Sequence, residues 1–250
     1  LITLAEQVKV LLEKGPDRVN PFLVPMMMGD AASSQTSIML GAQGPNLCAT
    51  SACSSGADAI GQAFDAIRLG NARVMIAGGT EAPVIPLVLA AFCAIRALST
   101  QNSNPQAACR PFDAARDGFV LGEGAAVMVL EDADYALERG APILAELVSY
   151  SATSDAFHLT QPSPDGEGAT RAVMLALERG GIRPDEVDYI QAHGTATLLN
   201  DRTETVVIKK VFGARAKQIP VSASKSMVGH LLGAAGSIGA VITVLAIQNG

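Results

Sequence analysis

The sequence has 250 residues, of which 49% are hydrophobic and 17% are charged, and this balance excludes a disordered chain. Its 24 Gly and 13 Pro follow no period, which excludes collagen-like and low-complexity chains. The net charge of −6, from 18 basic and 24 acidic residues, leaves no basic excess, so we expect no nucleic-acid partner.

Apolar periodicity and turn residues predict alternating helices and strands along the chain. In chain order they are a helix over residues 3–13, a helix over 30–41, a strand over 47–51, a helix over 54–69, strands over 72–78 and 125–130, a helix over 132–139 with Asp132 as N-cap, a strand over 143–150, a helix over 168–179, a strand over 187–192, a helix over 201–212, a strand ending at Val221 and a closing helix. This alternation predicts an α/β fold with a mostly parallel sheet covered on both faces.

The closing segment, residues 226–250, carries no Asp, Glu, Lys or Arg and is long enough to cross a bilayer. Its first half contains Ser, His and several Gly, which favours a helix buried between protein layers over a membrane span. The four cysteines show no CxxC pairing, and no secretory signal is visible. We therefore expect reduced thiols in a cytoplasmic protein without a membrane partner.

Cys53 lies in TSACSSG, between a predicted strand and a helix of small residues. At a helix N-terminus the dipole and the free backbone N–H groups lower a thiol pKa, and the same N–H groups can hold an oxyanion. A buried structural cysteine remains the alternative for this position. Cys48, Cys93 and Cys109 are expected to be inert.

His193 follows a predicted strand in QAHGTAT, and His230 precedes a Gly-rich helix in KSMVGHLLG. Both are candidates for polarising a carbonyl or moving a proton, whereas His158 lies in a polar loop. The Cys and His spacings match no zinc pattern, so no metal is expected. Cys53 and His230 each stand before a Gly/Ala-rich helix, which suggests a duplicated fold.

Three further groups of polar residues have two interpretations each. Lys225 either places a positive charge at the site or lies on the surface. Thr195 and Thr197 either bind an amide-bearing substrate or serve as turn hydroxyls. The charged residues within 113–123 form either a buried ion-pair scaffold or part of a site.

Six motifs in this order resemble a β-ketoacyl-ACP synthase of the elongating type. They are GPNLCATSACSSGADAIG, NARVMIAGGTE, FCAIRALST, RPFDAARDGFVLGEGA, QAHGTAT and SASKSMVGHLLGAAG. The resemblance implies a thiolase-like fold of αβαβα layers with two duplicated halves, incomplete at both ends. Residues 1–140 would be the later part of the N-terminal half and residues 141–250 the first part of the C-terminal half. It also implies a homodimer.

The resemblance further implies a role for each matching residue. Cys53 would accept an acyl chain from acyl carrier protein, and His193 and His230 would bind the malonyl thioester and assist loss of CO2. The acyl-Cys53 thioester would then undergo Claisen condensation, with Lys225 supporting the site electrostatically. No cofactor of its own is implied, because the carrier protein supplies the phosphopantetheine arm.

The remaining residues lie around that chemistry. Thr195 and Thr197 would contact the phosphopantetheine arm, Glu204 and Asp201 would stand behind the reacting groups, and Arg96 would contact the carrier protein.

The sequence also departs from the family. Residues 198–201 read LLND where a Pro/Gly turn is usual, and Ser51 stands where Thr is commoner. Family members are considerably longer, so we expect an interior fragment that does not catalyse condensation alone.

Three other functions stay open. A polyketide-type ketosynthase shares the Cys-His-His set, although HGTAT favours the fatty-acid branch. A non-catalytic partner subunit that sets chain length would typically lack the Cys53 nucleophile. A Cys-His hydrolase would release the acyl chain without malonyl-ACP.

Overall fold

A small helical unit precedes the rest of the chain in a computed structural model that describes residues 2–250. This unit ends at Thr50 and contains α1 (Ile2–Lys14), α2 (Leu23–Met27) and α3 (Ala31–Leu40). The helices predicted over 3–13 and 30–41 are confirmed. α3 ends at Gly41, whose φ of 64° is the left-handed conformation that glycine adopts without a steric cost.

The strand predicted over 47–51 is wrong. Within residues 2–250 this segment pairs with no other strand, and the Cys48 thiol instead donates a hydrogen bond to the Gly29 carbonyl at 3.0 Å. Since a strand is stabilised through its ladder, an apolar segment without a partner stays irregular.

The second unit, Ser51–Gly250, holds the remaining helices and all strands of the described chain. They are α4 (Ser55–Arg68), β1 (Val74–Glu81), α5 (Pro86–Ala94), β2 (Gly124–Glu131), α6 (Ala133–Glu138), α7 (Glu167–Gly180), β3 (Ile190–Gln191), α8 (Leu198–Phe212), β4 (Val221–Ser222), α9 (Lys225–Val228) and α10 (Ala235–Asn249). Asp132 caps α6 as predicted, because its side chain accepts a hydrogen bond from the Tyr135 amide at 3.1 Å.

The strands form two pairs rather than one mostly parallel sheet. β1 and β2 are antiparallel from Val74↔Glu131 to Glu81↔Gly124, while β3 and β4 are parallel. The prediction of a mostly parallel sheet is therefore wrong for β1 and β2. The segment between them, residues 82–123, contains α5 and a long loop that reaches His230, so it is not a simple helical crossover.

The strand predicted over 143–150 is also wrong, as this segment pairs with no strand in the described part of the chain. Its polar groups bind a helix instead, since the Ser149 hydroxyl donates to the Ala176 carbonyl in α7 at 2.7 Å. The helices predicted over 54–69, 168–179 and 201–212 are confirmed as α4, α7 and α8, although α8 begins three residues earlier, at Leu198.

Two matching elbows lead into α4 and α10. Each is a short 3-10 turn, residues 52–54 and 232–234, followed directly by a helix. Each contains a non-glycine residue in the left-handed region, Ala52 with φ 53° and Leu232 with φ 43°, a conformation that costs about 1–3 kcal/mol. The two turns thus share the local symmetry from which the sequence suggested a duplicated fold.

Small residues let α4 and α10 cross closely. A Cβ atom added to Gly56 would lie 2.8 Å from the Ser237 amide nitrogen, and one added to Gly236 would lie 2.6 Å from the Ala57 amide nitrogen. The crossing therefore fixes the distance between the two elbows, because no larger side chain fits between the backbones.

The apolar segment Leu232–Asn249 is long and apolar enough to cross a membrane by length and composition alone. Its first half packs on α4 and is buried at Ser237 and Gly239, while Leu245 and Ile247 near its end are exposed. The prediction of a buried helix is thus correct for the first half only.

Candidate active site

Three predicted residues converge in space from distant parts of the sequence. The Cys53 sulfur and one ring nitrogen each of His193 and His230 all lie within 4.8 Å of one another. Cys53 comes from the elbow before α4, His193 follows β3, and His230 precedes the elbow before α10. We call these three residues the Cys-His-His cluster.

Serine hydroxyls hold the elbow that carries Cys53. The Ser54 hydroxyl donates to the Ser51 carbonyl at 2.8 Å, and the Ser55 hydroxyl donates to the Ala52 carbonyl at 2.7 Å. The Ser51 amide in turn donates to the Ser55 hydroxyl at 2.9 Å. The local sequence SACSS therefore fixes its own turn, because short hydroxyl side chains bind nearby backbone groups.

Burial raises the pKa of the Cys53 thiol above its ordinary value, and the nearby Lys225 ammonium offsets this only in part. The expectation that the helix N-terminus lowers this pKa is therefore wrong. The physical reason is desolvation, which disfavours the thiolate more strongly than the local positive charge favours it. Cys53 rests as a thiol.

His230 is held by backbone bonds on both sides. Its amide donates to the Val120 carbonyl at 2.7 Å, and its carbonyl accepts from the Gly122 amide at 3.0 Å. Its Nδ1 accepts from the Leu232 amide at 3.1 Å, so the proton of the neutral ring resides on Nε2. Burial and the Lys225 charge lower the pKa of His230 to about 3, which keeps the ring neutral.

His193 is held by the Glu204 carboxylate. The two carboxylate oxygens accept the His193 amide at 2.6 Å and the Gly194 amide at 2.8 Å. The Lys225 ammonium lies 3.4 Å from the His193 Nδ1, so this ring also carries its proton on Nε2. Burial, Lys225 and His230 lower the pKa of His193 to about 3. Both imidazoles are therefore neutral N–H donors.

The protonation of the two rings also bears on metal binding. The Cys-His-His cluster offers three ligand atoms at plausible spacing, but a metal on Nε2 needs a lone pair there. The Leu232 amide and the Lys225 ammonium place the lone pairs on Nδ1 instead. The residues therefore fit a metal poorly, in line with the prediction of no metal.

Lys225 is buried with 6% of its surface exposed, which rules out the surface interpretation. Its ammonium also donates to the His193 carbonyl, and its own carbonyl accepts from the Cys109 thiol at 2.9 Å. Burial lowers the pKa of Lys225, while Glu204 opposes that change. Lys225 thus brings a positive charge beside the imidazoles.

Thr195, the last residue of the HGT segment, and Thr197 have hydroxyl oxygens 2.8 Å apart. Thr197 also caps α8 by accepting the Asn200 amide at 3.3 Å. Residues 198–200, the first three of the unusual LLND stretch, therefore lie in the first turn of a capped helix. Contact of either threonine with a substrate remains a prediction.

Asp201 joins the HGT segment to the charged stretch over 113–123. It is 1% exposed and accepts the Phe112 amide at 2.6 Å, with the Arg116 guanidinium 3.5 Å away. Asp117 accepts the Ser99 hydroxyl at 2.6 Å. Arg116 and Asp201 thus form the buried ion pair of the scaffold interpretation.

Arg96 is exposed just beyond α5 with φ 56°, and the Cys-His-His cluster does not include it. Sequence reasoning missed Phe119, whose ring meets His230 edge-on at 5.2 Å, and Glu81, which accepts the Gly233 amide at 3.2 Å. It also set aside Cys109, the neighbour of Lys225. For Phe119, the signal that the sequence offered was its position within the GFVLGEG motif.

Comparison with known proteins gives matches over nearly the whole chain. Residues 2–136 match the β-ketoacyl synthase N-terminal domain, and residues 144–250 match the β-ketoacyl synthase C-terminal domain. The chain is 53% identical to 3-oxoacyl-[acyl-carrier-protein] synthase 2 of Synechocystis sp., over 100% of this chain and 60% of that protein. It is 50% identical to the synthase 2 of Staphylococcus aureus, over 96% of this chain and 60% of that protein.

Solved structures agree with these matches. A type II PKS ketosynthase in complex with its acyl-carrier protein, AntDE:AntF, superposes with a TM-score of 0.94 at 37% identity, over 98% of this chain and 62% of that one. A β-ketoacyl synthase from Burkholderia phymatum superposes with a TM-score of 0.91 at 38% identity, over 98% of this chain and 59% of that one. The chain spans about 60% of the length of its curated relatives. It belongs to the β-ketoacyl synthase family and has the thiolase-like α/β fold.

Proposed function

We propose that the protein carrying this chain catalyses the decarboxylating condensation of an acyl thioester with malonyl-ACP, giving 3-oxoacyl-ACP in fatty-acid elongation. The observation that carries the proposal is the Cys-His-His cluster, in which one thiol faces two neutral imidazole N–H donors. A thiol can take up an acyl group, and two N–H donors can stabilise the charge on a thioester oxygen.

The first step is transfer of the acyl group to Cys53. The sulfur attacks the thioester carbonyl of acyl-ACP, and the carbon–sulfur bond to the carrier breaks. The thiol gives up its proton as its sulfur attacks, and that proton ends on the carrier's sulfur as it leaves, so the exchange is balanced although the raised pKa leaves little thiolate at rest. The N-terminal end of α4 lies beside the oxygen that becomes negative, where backbone N–H groups stabilise it.

In the second step the malonyl thioester oxygen accepts the Nε2 protons of His193 and His230 in hydrogen bonds. The bond to the carboxylate breaks, CO2 leaves, and the electron pair forms an enolate stabilised by both imidazoles. The enolate carbon attacks the acyl-Cys53 carbonyl, and the Cys53 thiolate leaves and takes a proton from solvent. Lys225 favours each negatively charged state through its nearby positive charge.

The remaining assignments extend this proposal. The partner is acyl carrier protein, whose phosphopantetheine arm passes Thr195 and Thr197, with Arg96 contacting the acidic carrier. The protein is a cytoplasmic homodimer and needs no cofactor of its own. Residues 1–140 belong to the half that carries Cys53, and residues 141–250 to the half that carries both histidines.

Acylation of Cys53 tests the proposal directly. The protein carrying this chain is incubated with acyl-ACP, and peptides are analysed by mass spectrometry. We expect an acyl adduct on Cys53, its loss in Cys53→Ala, and its retention in the matched control Cys93→Ala. Addition of malonyl-ACP should discharge the adduct as 3-oxoacyl-ACP with release of CO2.

Other outcomes would identify other functions. Absence of any adduct in the wild-type protein would contradict the proposal and favour a non-catalytic partner subunit. Acyl release without malonyl-ACP would favour a hydrolase. Repeated extension without reduction would favour a polyketide-type ketosynthase, the kind of protein to which the AntDE:AntF structure belongs.

A further inference from the structure

Asp58 lies in the first turn of α4 and binds groups on two sides of the Cys53 elbow. Its Oδ1 accepts the Tyr150 hydroxyl at 2.6 Å. Its Oδ2 accepts the Ser51 hydroxyl and lies 3.5 Å from the Ser54 hydroxyl. One carboxylate therefore contacts residues on both sides of Cys53, although it takes no part in the chemistry proposed above.

Tyr150 reaches Asp58 from the part of the chain that matches the C-terminal family domain. Its carbonyl accepts the Arg179 guanidinium at 3.1 Å, and its neighbour Ser149 binds α7. A Cβ atom added to Gly61 would lie 2.3 Å from the Tyr150 ring, so the ring packs directly on the backbone of α4. Tyr150 thus connects α7 to the helix that begins at the elbow.

The elbow needs such support because its backbone is strained. Ala52 has φ 53°, a conformation that persists only where the surroundings hold it. The Ser54 and Ser55 hydroxyls bind the carbonyls of residues 51 and 52. The Ser51 hydroxyl instead donates to Asp58, which Tyr150 links to α7. Burial and the Asp58 hydrogen bond raise the pKa of Tyr150 to about 12, so its hydroxyl remains a donor at physiological pH.

We infer that Tyr150 and Asp58 are positioning residues for Cys53: their hydrogen bond holds the elbow over residues 52–54 in the geometry that presents the thiol to the acyl thioester. This inference rests on the proposed nucleophilic role of Cys53. It predicts an effect confined to one half-reaction, because neither histidine of the cluster belongs to this hydrogen-bond network.

Tyr150→Phe tests the inference by removing one hydroxyl and keeping the ring on Gly61. Transfer from acyl-ACP to Cys53 and decarboxylation of malonyl-ACP without an acyl primer are measured separately. We expect acylation to slow about tenfold, since a hydrogen bond to a charged group is lost and the thiol is misplaced. Decarboxylation should change less than about twofold, since the histidines keep their contacts. Tyr135→Phe is the matched control, because its ring contacts Arg73 outside the site.

Variants of Asp58 give an independent measurement. Asp58→Asn keeps one oxygen to accept the Tyr150 hydroxyl, and its NH2 group can donate to the Ser51 hydroxyl, so the variant should retain most of the acylation rate. Asp58→Ala should be at least as slow as Tyr150→Phe. Adding Tyr150→Phe to Asp58→Ala should cause no further loss, because both changes break the same contact.

Two results would overturn the inference. One is an unchanged acylation rate in Tyr150→Phe and Asp58→Ala while the wild-type protein acylates Cys53 normally. The other is an equal loss in both half-reactions, which indicates general loosening of the fold. Failure of the wild-type protein itself to form the Cys53 adduct would instead contradict the proposed function.

Discussion

Lowering the pH from 7 to 5 should destabilise this protein through His230, which is 2% exposed. In the folded chain its pKa is lowered from 6.5 to about 3, so the ring stays neutral at pH 5. In the unfolded chain the same ring takes up a proton below pH 6.5. Because the unfolded state alone binds that proton, stability is complete above pH 6.5 and is lost progressively as the pH falls towards 3.

The size of the effect follows from these values. At pH 5 the solution lies about 1.5 pH units below the ordinary pKa, and each unit corresponds to about 1.4 kcal/mol, so His230 should cost about 2 kcal/mol. His230→Asn removes the titrating ring and keeps an oxygen that can accept the Leu232 amide. The variant should therefore lose about 2 kcal/mol less stability than wild type between the two pH values.

Urea denaturation followed by circular dichroism at pH 7 and pH 5 measures this difference. His193 keeps the two larger causes of its lowered pKa, burial and Lys225, in His230→Asn, so subtracting the two pH dependences leaves mainly the titration of His230. His158→Asn, in the exposed polar loop, is the control for removing a histidine outside the Cys-His-His cluster. Parallel stability changes in wild type and His230→Asn would refute the claim that burial keeps this ring neutral.

Two further substitutions test the packing and the support of the site. Gly56→Ala places a methyl group 2.8 Å from the Ser237 amide nitrogen and should lower the free energy of unfolding, measured by urea denaturation, by about 1–3 kcal/mol. The control Gly44→Ala, with open space around it, should change this free energy by less than about 0.5 kcal/mol. Equal values would contradict the close helix crossing. Glu204→Gln leaves one oxygen for two backbone donors and should lower the free energy of unfolding by about 1–3 kcal/mol. It should also slow malonyl decarboxylation more than Cys53 acylation. An equal effect on both half-reactions would contradict a role through His193.

Local pattern was enough to predict most helices and the three central site residues. α4 and α7 have clear amphipathic periodicity, and residue type selected Cys53, His193 and His230. His193 and His230 each have a glycine neighbour, and all three lie after a strand or before a helix, where an α/β fold presents reactive groups.

What the sequence could not predict depends on contacts between distant residues. The antiparallel pairing of β1 and β2 and the irregular segment over 143–150 depend on which partner each strand finds in three dimensions. The raised pKa of Cys53 depends on how much protein surrounds it, because burial outweighs the nearby Lys225 charge. The contact of Tyr150 with Asp58 joins residues 92 positions apart, which no local pattern indicates.

The elbow that carries Cys53 bears on how catalytic activity can be lost in evolution. The turn at Cys53 is formed by the left-handed Ala52 and by serine hydroxyls, so the contacts that define it do not involve the sulfur. A descendant could exchange the thiol for another small side chain and keep the same scaffold as a silent subunit. Nothing in the architecture obliges a chain to retain a thiol at this turn, which is why its presence here argues for selection on chemistry.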